Sequence, residues 1–388
     1  MRDFTWHNPT TVIFGRDTVP LIADHLAAAG VKRVLLLYGG GAVFKNGAYS
    51  KVVEALGGKG IEYVELGGVK SNPTVEKVRE GVARAVANPP VDAIVPVGGG
   101  SVFDSAKAIA LGARYAGDVW DLFEGKQPAG ALPIFGVLTV SATSSEVNDI
   151  AVLSNQKKAA KTSLVSPLIY PRVSVIDPSL QTTVPEAQMV SGGIDIMSHV
   201  MERVFDGVDG VELMDEQGYA MLRVMMRLIQ DLRDDPADYD ARAQYAWAGS
   251  IAHSGSLSCG RGNRGDLASH KLGHSLSLLF DTPHGMSLAV MMPAWARYVA
   301  RENPVPFARF AEAVFDVEPG DDEDVAFDGI DRLEDYFRSV GAPTTLKELG
   351  VKEADIPRLA ENAGAFAPFG VLKLLNAEDI IEIYKLAY

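Results

Sequence analysis

Cysteine is almost absent: Cys259 stands alone among 388 residues, so no intramolecular disulfide is available and packing must hold the fold. Positive charge is also short, with 36 Lys and Arg against 50 Asp and Glu and a formal net charge of −14. Such a field disfavours nucleic acid and anionic membrane as main partners, because both need basic surface. No run approaches the roughly 18 consecutive apolar residues of a membrane span. Residues 1–9 contain no apolar stretch of signal-peptide length. The expectation is a soluble, cytoplasmic chain with neither nucleic acid nor membrane as partner. Any phosphate ligand must be held by local backbone dipoles and a few placed residues, against the global field.

Histidine is scarce as well, seven in all, which makes its distribution informative. Three of the seven, His270, His274 and His284, fall within one 15-residue stretch. Asp195 and His199 stand four residues apart, a spacing that puts both on one helix face. A single Asp-x-x-x-His is equally a surface pair or a helix cap, but three clustered histidines add a second pattern. Imidazoles with one carboxylate suit Zn, Fe or Ni better than Mg or Ca, which prefer oxygen shells.

Apolar residues make up 47% of the chain and charged ones 22%, a globular balance with length enough for two domains. Strand patterns occupy 31–38, 92–97 and 132–139, and residues near 17–29, 47–57 and 74–88 carry apolar positions at helical spacing. This alternation predicts an α/β N-terminal domain over 1–185, with a Rossmann-like parallel sheet. Beyond Pro185 helical patterns dominate, at 189–204, 211–232, 237–254, 266–279, 305–313, 328–340 and 377–386. Residues 186–388 therefore read as an all-α C-terminal domain, and the acidic run Val317–Asp324 reads as an exposed loop.

Two turns carry candidate chemistry. Gly98, Gly99, Gly100 and Ser101 follow a strand and open a helix, where backbone N–H groups and the dipole favour phosphate. Asp104 and Ser101 are placed to cap that turn. The loop is not a Walker A, since no Gly-Lys-Ser/Thr closes it. Ser141, Thr143, Ser144, Ser145 and Glu146 form a hydroxyl-rich turn after the third strand, and a helix cap accounts for it equally well.

Together these segments resemble the iron-containing (group III) alcohol dehydrogenase family, in its butanol dehydrogenase-like aldehyde reductase branch. The motifs that carry the resemblance are Phe4 to Gly15, Ser71-Asn72-Pro73, Gly98 to Asp104, Asp177-Pro178, Gly193 to His199, Gly265 to His274, and Pro283-His284-Gly285. The resemblance implies a dehydroquinate synthase-like fold and a hydride transfer between NADP(H), with NAD(H) an alternative, and a small alcohol or aldehyde such as butanol or butanal. It implies one Fe²⁺ or Zn²⁺ on Asp195, His199, His270 and His284, with His274 near metal and substrate. Gly99, Gly100, Ser101 and Asp104 match its pyrophosphate loop, Asn72, Thr139, Thr143 and Lys161 its ribose and nicotinamide contacts, and Asn148 its substrate side. A homodimer built through the N-terminal strand is implied as well.

The loop Gly39, Gly40 and Gly41 has Gly40 where NAD-preferring members carry an acid, so a 2′-phosphate is permitted and NADP(H) is expected. Ser144 replaces a family glycine, Leu267 a tryptophan, Met286 a glutamate and Ala42 a serine. The rival readings are a polyol or hydroxy-acid dehydrogenase of the same superfamily, and a metallohydrolase. The hydrolase explains the histidines but not the glycine loop.

Overall fold

The computed structural model describes residues 1–388 and divides into two compact units. The first unit, residues 7–184 and 235–250, is built on strands β1 (Thr11–Phe14), β2 (Arg33–Tyr38), β3 (Glu62–Leu66), β4 (Ala93–Gly99), β5 (Phe135–Val140), β6 (Ile150–Asn155), β7 (Ala160–Val165) and β8 (Val173–Ile176). Six of them form a parallel sheet in the order β1-β8-β5-β4-β2-β3, while β6 and β7 make a separate antiparallel pair. In β2, Leu35 and Leu37 enter one core with Ile94, Ala106 and Ile109. Val34 and Leu36 enter the opposite core with Ile22, Leu26, Val52 and Val95. A strand buried on both faces reads as a continuous apolar run, which is how β2 and β4 are legible.

The second unit comprises residues 1–6, 185–234 and 251–388 and is helical. Neither unit is one continuous stretch of chain. Residues 235–250 belong with the sheet: Ala246 is buried with Phe103, Leu138 and Ile176, Trp247 meets Phe14 edge-on, and Arg16 lies over the Tyr239 ring. Residues 1–6 belong with the helical unit, where the Arg2 amide donates to the Gly260 carbonyl at 2.9 Å.

Two helical readings also change. The helix His284–Ala300 was not anticipated, because Pro283 precedes it and Pro293 lies inside it. The acidic run is a loop only to Asp321. Asp321 caps the helix Asp322–Ser339 by accepting from the Glu323 amide, and Asp322, Glu323 and Asp324 form its first turn, where the dipole favours acids.

The helix Gly100–Gly112, which opens at the glycine loop, is seated on the sheet by Phe103. At Gly136 in β5 an added Cβ would fall 2.3 Å from the Phe103 ring. Gly136→Ala is therefore expected to cost about 1–3 kcal/mol through overpacking, read as a lower urea midpoint with an unchanged slope. An unchanged midpoint would mean that the helix does not depend on this contact.

Candidate metal centre and cofactor loops

In the helical unit, the helix Glu186–Val204 presents Asp195, His199 and Glu202 one turn apart, all buried. His270 lies in the first turn of the helix Ala268–Phe280, and His284 opens the helix His284–Ala300. Gly285 is what lets that opening approach: an added Cβ would sit 1.8 Å from the Ser191 carbonyl oxygen. Leu267, just before His270, holds a left-handed conformation with φ 57°. For a branched side chain this is a strained backbone beside a ligand.

Three imidazole nitrogens surround one carboxylate oxygen. Asp195 Oδ1 lies 3.7 Å from His199 Nδ1, 3.5 Å from His270 Nε2 and 3.6 Å from His284 Nε2. These separations are long for hydrogen bonds. Two of them fall on the ~3.3–3.6 Å edge of a tetrahedron whose metal–ligand bonds are ~2.0–2.2 Å, and the His199 separation is slightly longer. Asp195 Oδ1, His199 Nδ1 and both ring nitrogens of His270 are buried without a hydrogen bond of ordinary geometry, although His270 Nδ1 lies 2.7 Å from Glu202 Oε2. The ligand atoms of Asp195, His199 and His270 all lie within 4.8 Å of one another. Nitrogen donors plus one carboxylate fit a borderline divalent cation such as Fe²⁺ or Zn²⁺.

The local charge points the same way. Burial pulls the His270 imidazole down, but Glu202 and Asp195 together raise it to about 9. His199 is held well below the ordinary value, first by burial and then by the neighbouring His253, His270, Arg203 and His284. Two buried carboxylates thus face one ring and favour positive charge there, which a divalent cation would supply.

Neighbouring side chains complete the cluster. His253 stacks on His199, with ring centroids 4.5 Å apart, and Arg203 bonds both His253 Nδ1 and the His199 carbonyl. Sequence patterns gave His253 no role, since its link to His199 spans 54 residues and follows no motif. His274 stands half-buried beside His284, ring centroids 5.5 Å apart. Glu202 was also missed: its spacing of seven from Asp195 repeats the helix face, but a glutamate there normally reads as surface.

In the α/β unit, Gly99 precedes the helix Gly100–Gly112 with no side-chain cap, so its first N–H groups remain available to an anion. The expected capping by Ser101 and Asp104 does not occur. Asp104 instead accepts from Ser145 Oγ at 2.6 Å and from the Val152 amide at 3.1 Å, bracing two neighbouring segments. An added Cβ on Gly100 would meet Thr143 Oγ1 at 2.2 Å, so the glycine and hydroxyl turns pack closely. Thr139 lies buried near the end of β5, and Asn72, with φ 54°, accepts from Lys161 Nζ at 2.8 Å. An added Cβ on Gly39 would sit 3.3 Å from the Val69 carbonyl oxygen, a tight contact, whereas Gly40 and Gly41 have open surroundings.

Beneath these turns Lys107 is fully buried and lowered to about 8 by burial, against the charges of Asp104, Glu146 and Asp149. Its ammonium donates to Asn148 Oδ1 and the Ile150 carbonyl, both at 2.7 Å. Asn148 also donates to the Thr143 carbonyl at 3.2 Å. Glu146 also holds its turn in place, accepting from Ser250 Oγ at 2.6 Å. Ser144 adopts φ 53° where relatives carry glycine, and its hydroxyl donates to the Gly249 carbonyl at 2.5 Å.

Comparison with known proteins agrees with this geometry. Residues 9–178 match the family model "Iron-containing alcohol dehydrogenase", and residues 189–388 match "Fe-containing alcohol dehydrogenase family, C-terminal". The chain is 40% identical to the probable NADH-dependent butanol dehydrogenase 1 of Bacillus subtilis, covering 99% of both. It is 31% identical to the NADPH-dependent aldehyde reductase YqhD of Escherichia coli, covering 92% of both. The crystal structure of NADH-dependent butanol dehydrogenase A from Thermotoga maritima superposes with a TM-score of 0.97 at 44% identity, covering 100% of this chain and 99% of that one. The chain belongs to the iron-containing alcohol dehydrogenase family, and is thus an NAD(P)-dependent oxidoreductase. No helix is long and apolar enough to cross a membrane.

If the cluster binds metal, His270→Ala should lose most of the bound cation, read by elemental analysis after dialysis. Metal content equal to that of the unaltered protein would refute His270 as a ligand.

Proposed function

We propose that the chain transfers hydride between NADP(H) and a small alcohol or aldehyde, with butanol and butanal as model substrates. The observation that carries the proposal is the convergence of three imidazole nitrogens on Asp195 Oδ1. Asp195, His199, His270 and His284 would hold a divalent cation. When bound, the cation supplies Lewis acidity to the substrate oxygen and the nicotinamide carries the hydride. The protein's own part is placement. Asp195 and His199 are fixed by a buried helix, His270 by Glu202, and His284 by the close approach at Gly285. His274, beside His284, or water would exchange a proton with the substrate hydroxyl.

On the cofactor side, Gly99, Gly100 and Ser101 would hold the pyrophosphate through backbone N–H groups, with Asp104 holding the loop's shape from below. Asn72, Thr139, Thr143 and Lys161 would contact ribose and nicotinamide. The proposed NADP(H) preference rests on the loop Gly39, Gly40 and Gly41, which carries no carboxylate, and on the exposed Lys45 that follows. The similar Bacillus protein is named for NADH and the Escherichia protein for NADPH, so this chain's own loop must decide.

The test is NADPH oxidation with butanal before and after chelation, with Fe²⁺ or Zn²⁺ added back. Activity should vanish on chelation and return with metal, and kcat/KM should be higher for NADPH than for NADH. Turnover that survives full chelation would overturn the metal-dependent reading, and a higher value for NADH would overturn the cofactor preference.

We also propose a cytoplasmic homodimer formed through β1, which stands at the end of the sheet with one edge unpaired within the chain. Light scattering should give about twice the 41.5 kDa chain mass. A single-chain mass would reject the dimer.

A further inference from the structure

We infer that Glu202 is a positioning residue of the metal centre: its carboxylate keeps the His270 proton on Nδ1 and so presents Nε2 as the donor atom. This rests on reading Asp195, His199, His270 and His284 as a metal centre. Glu202 Oε2 lies 2.7 Å from His270 Nδ1, and the glutamate side chain is fully buried. Its Oε1 accepts from Ser269 Oγ at 2.6 Å and from the His270 amide at 3.2 Å. Its backbone carbonyl accepts from the Asp266 amide at 2.8 Å. One residue therefore fixes the approach to the helix Ala268–Phe280, the first turn of that helix, and the ring that it carries.

The chemistry follows from hydrogen-bond capacity. An ionised carboxylate only accepts, so the ring nitrogen facing it must donate. A neutral imidazole has one N–H, and with that proton on Nδ1 the lone pair lies on Nε2. Nε2 is the atom 3.5 Å from Asp195 Oδ1, on the side where His199 and His284 converge. A carboxylate behind a ligating imidazole also makes it a better donor and locks its rotation. His199 is supported by other means, through stacking on His253 and the hold of Arg203 on its carbonyl.

Glutamine distinguishes this role from simple bracing. A carboxamide oxygen could still accept from Ser269 and the His270 amide, so the helix start would keep its anchor. The NH₂ group would then face Nδ1, and two donors cannot pair unless the ring proton moves to Nε2, the donor atom itself.

The experiment compares the unaltered protein with Glu202→Gln, each stripped and reloaded with Zn²⁺ against a competing chelator. Long-range ¹H–¹⁵N spectra of the zinc-loaded imidazoles are recorded alongside. The expected result is a zinc dissociation constant raised about 10–100-fold in Glu202→Gln, with unchanged far-ultraviolet circular dichroism. In the unaltered protein His270 should appear as the Nδ1–H tautomer. Equal zinc affinity in the two proteins would overturn the inference. So would zinc bound through Nδ1 of His270 in the unaltered protein, a reading that stands even if the variant fails to fold. Absence of zinc binding by the unaltered protein would instead remove the metal-centre reading beneath it.

Discussion

The helix Glu186–Val204 buries two carboxylates, Asp195 and Glu202, and much of the second unit is arranged around that fact. Removing a carboxylate from water is costly unless its oxygens find donors or cations. Glu202 finds them in Ser269, the His270 amide and the His270 ring. Asp195 instead gathers three imidazole nitrogens at distances that suit coordination better than hydrogen bonding. Leu267 holds a positive φ three residues before His270, and the bare Gly285 lets His284 approach the helix that carries Asp195.

The α/β unit follows a related logic with different parts. Its charged and amide groups are spent largely on shaping loops. Lys107 ties down the turn before β6, Asp104 spans Ser145 and Val152, and Glu146 reaches Ser250. The site proposed for a dinucleotide, around Gly99 to Ser101, Thr139 and Thr143, is mostly glycine, hydroxyl and backbone N–H. For a chain of net charge −14, holding phosphate by local dipoles is the consistent solution.

Local features were legible in the sequence and non-local ones were not. The four-residue spacing of Asp195 and His199 and the crowding of His270, His274 and His284 need no knowledge of tertiary contacts. β2 and β4 declare themselves as apolar runs because both their faces are buried. Glu202 could not be separated from surface glutamates, since only its depth in the fold gives it a partner. Asp104 looked like a cap for its own helix, yet its oxygens turn to β6 and Ser145, 41 to 48 residues away. Pro293 hid the helix His284–Ala300, and Ser144 hid a positive φ that a glycine would have signalled. The return of residues 235–250 to the sheet follows from Ala246 and Trp247 finding apolar partners there, which no helical periodicity predicts.

The account stands or falls on Asp195, His199, His270 and His284 sharing one cation. The most direct measurement is anomalous diffraction from metal-loaded crystals, recorded on both sides of the iron and zinc edges. The account predicts one strong peak per chain, ~2.0–2.3 Å from Asp195 Oδ1, His199 Nδ1, His270 Nε2 and His284 Nε2. A peak held elsewhere, or one bound by His274 in place of His270, would contradict it.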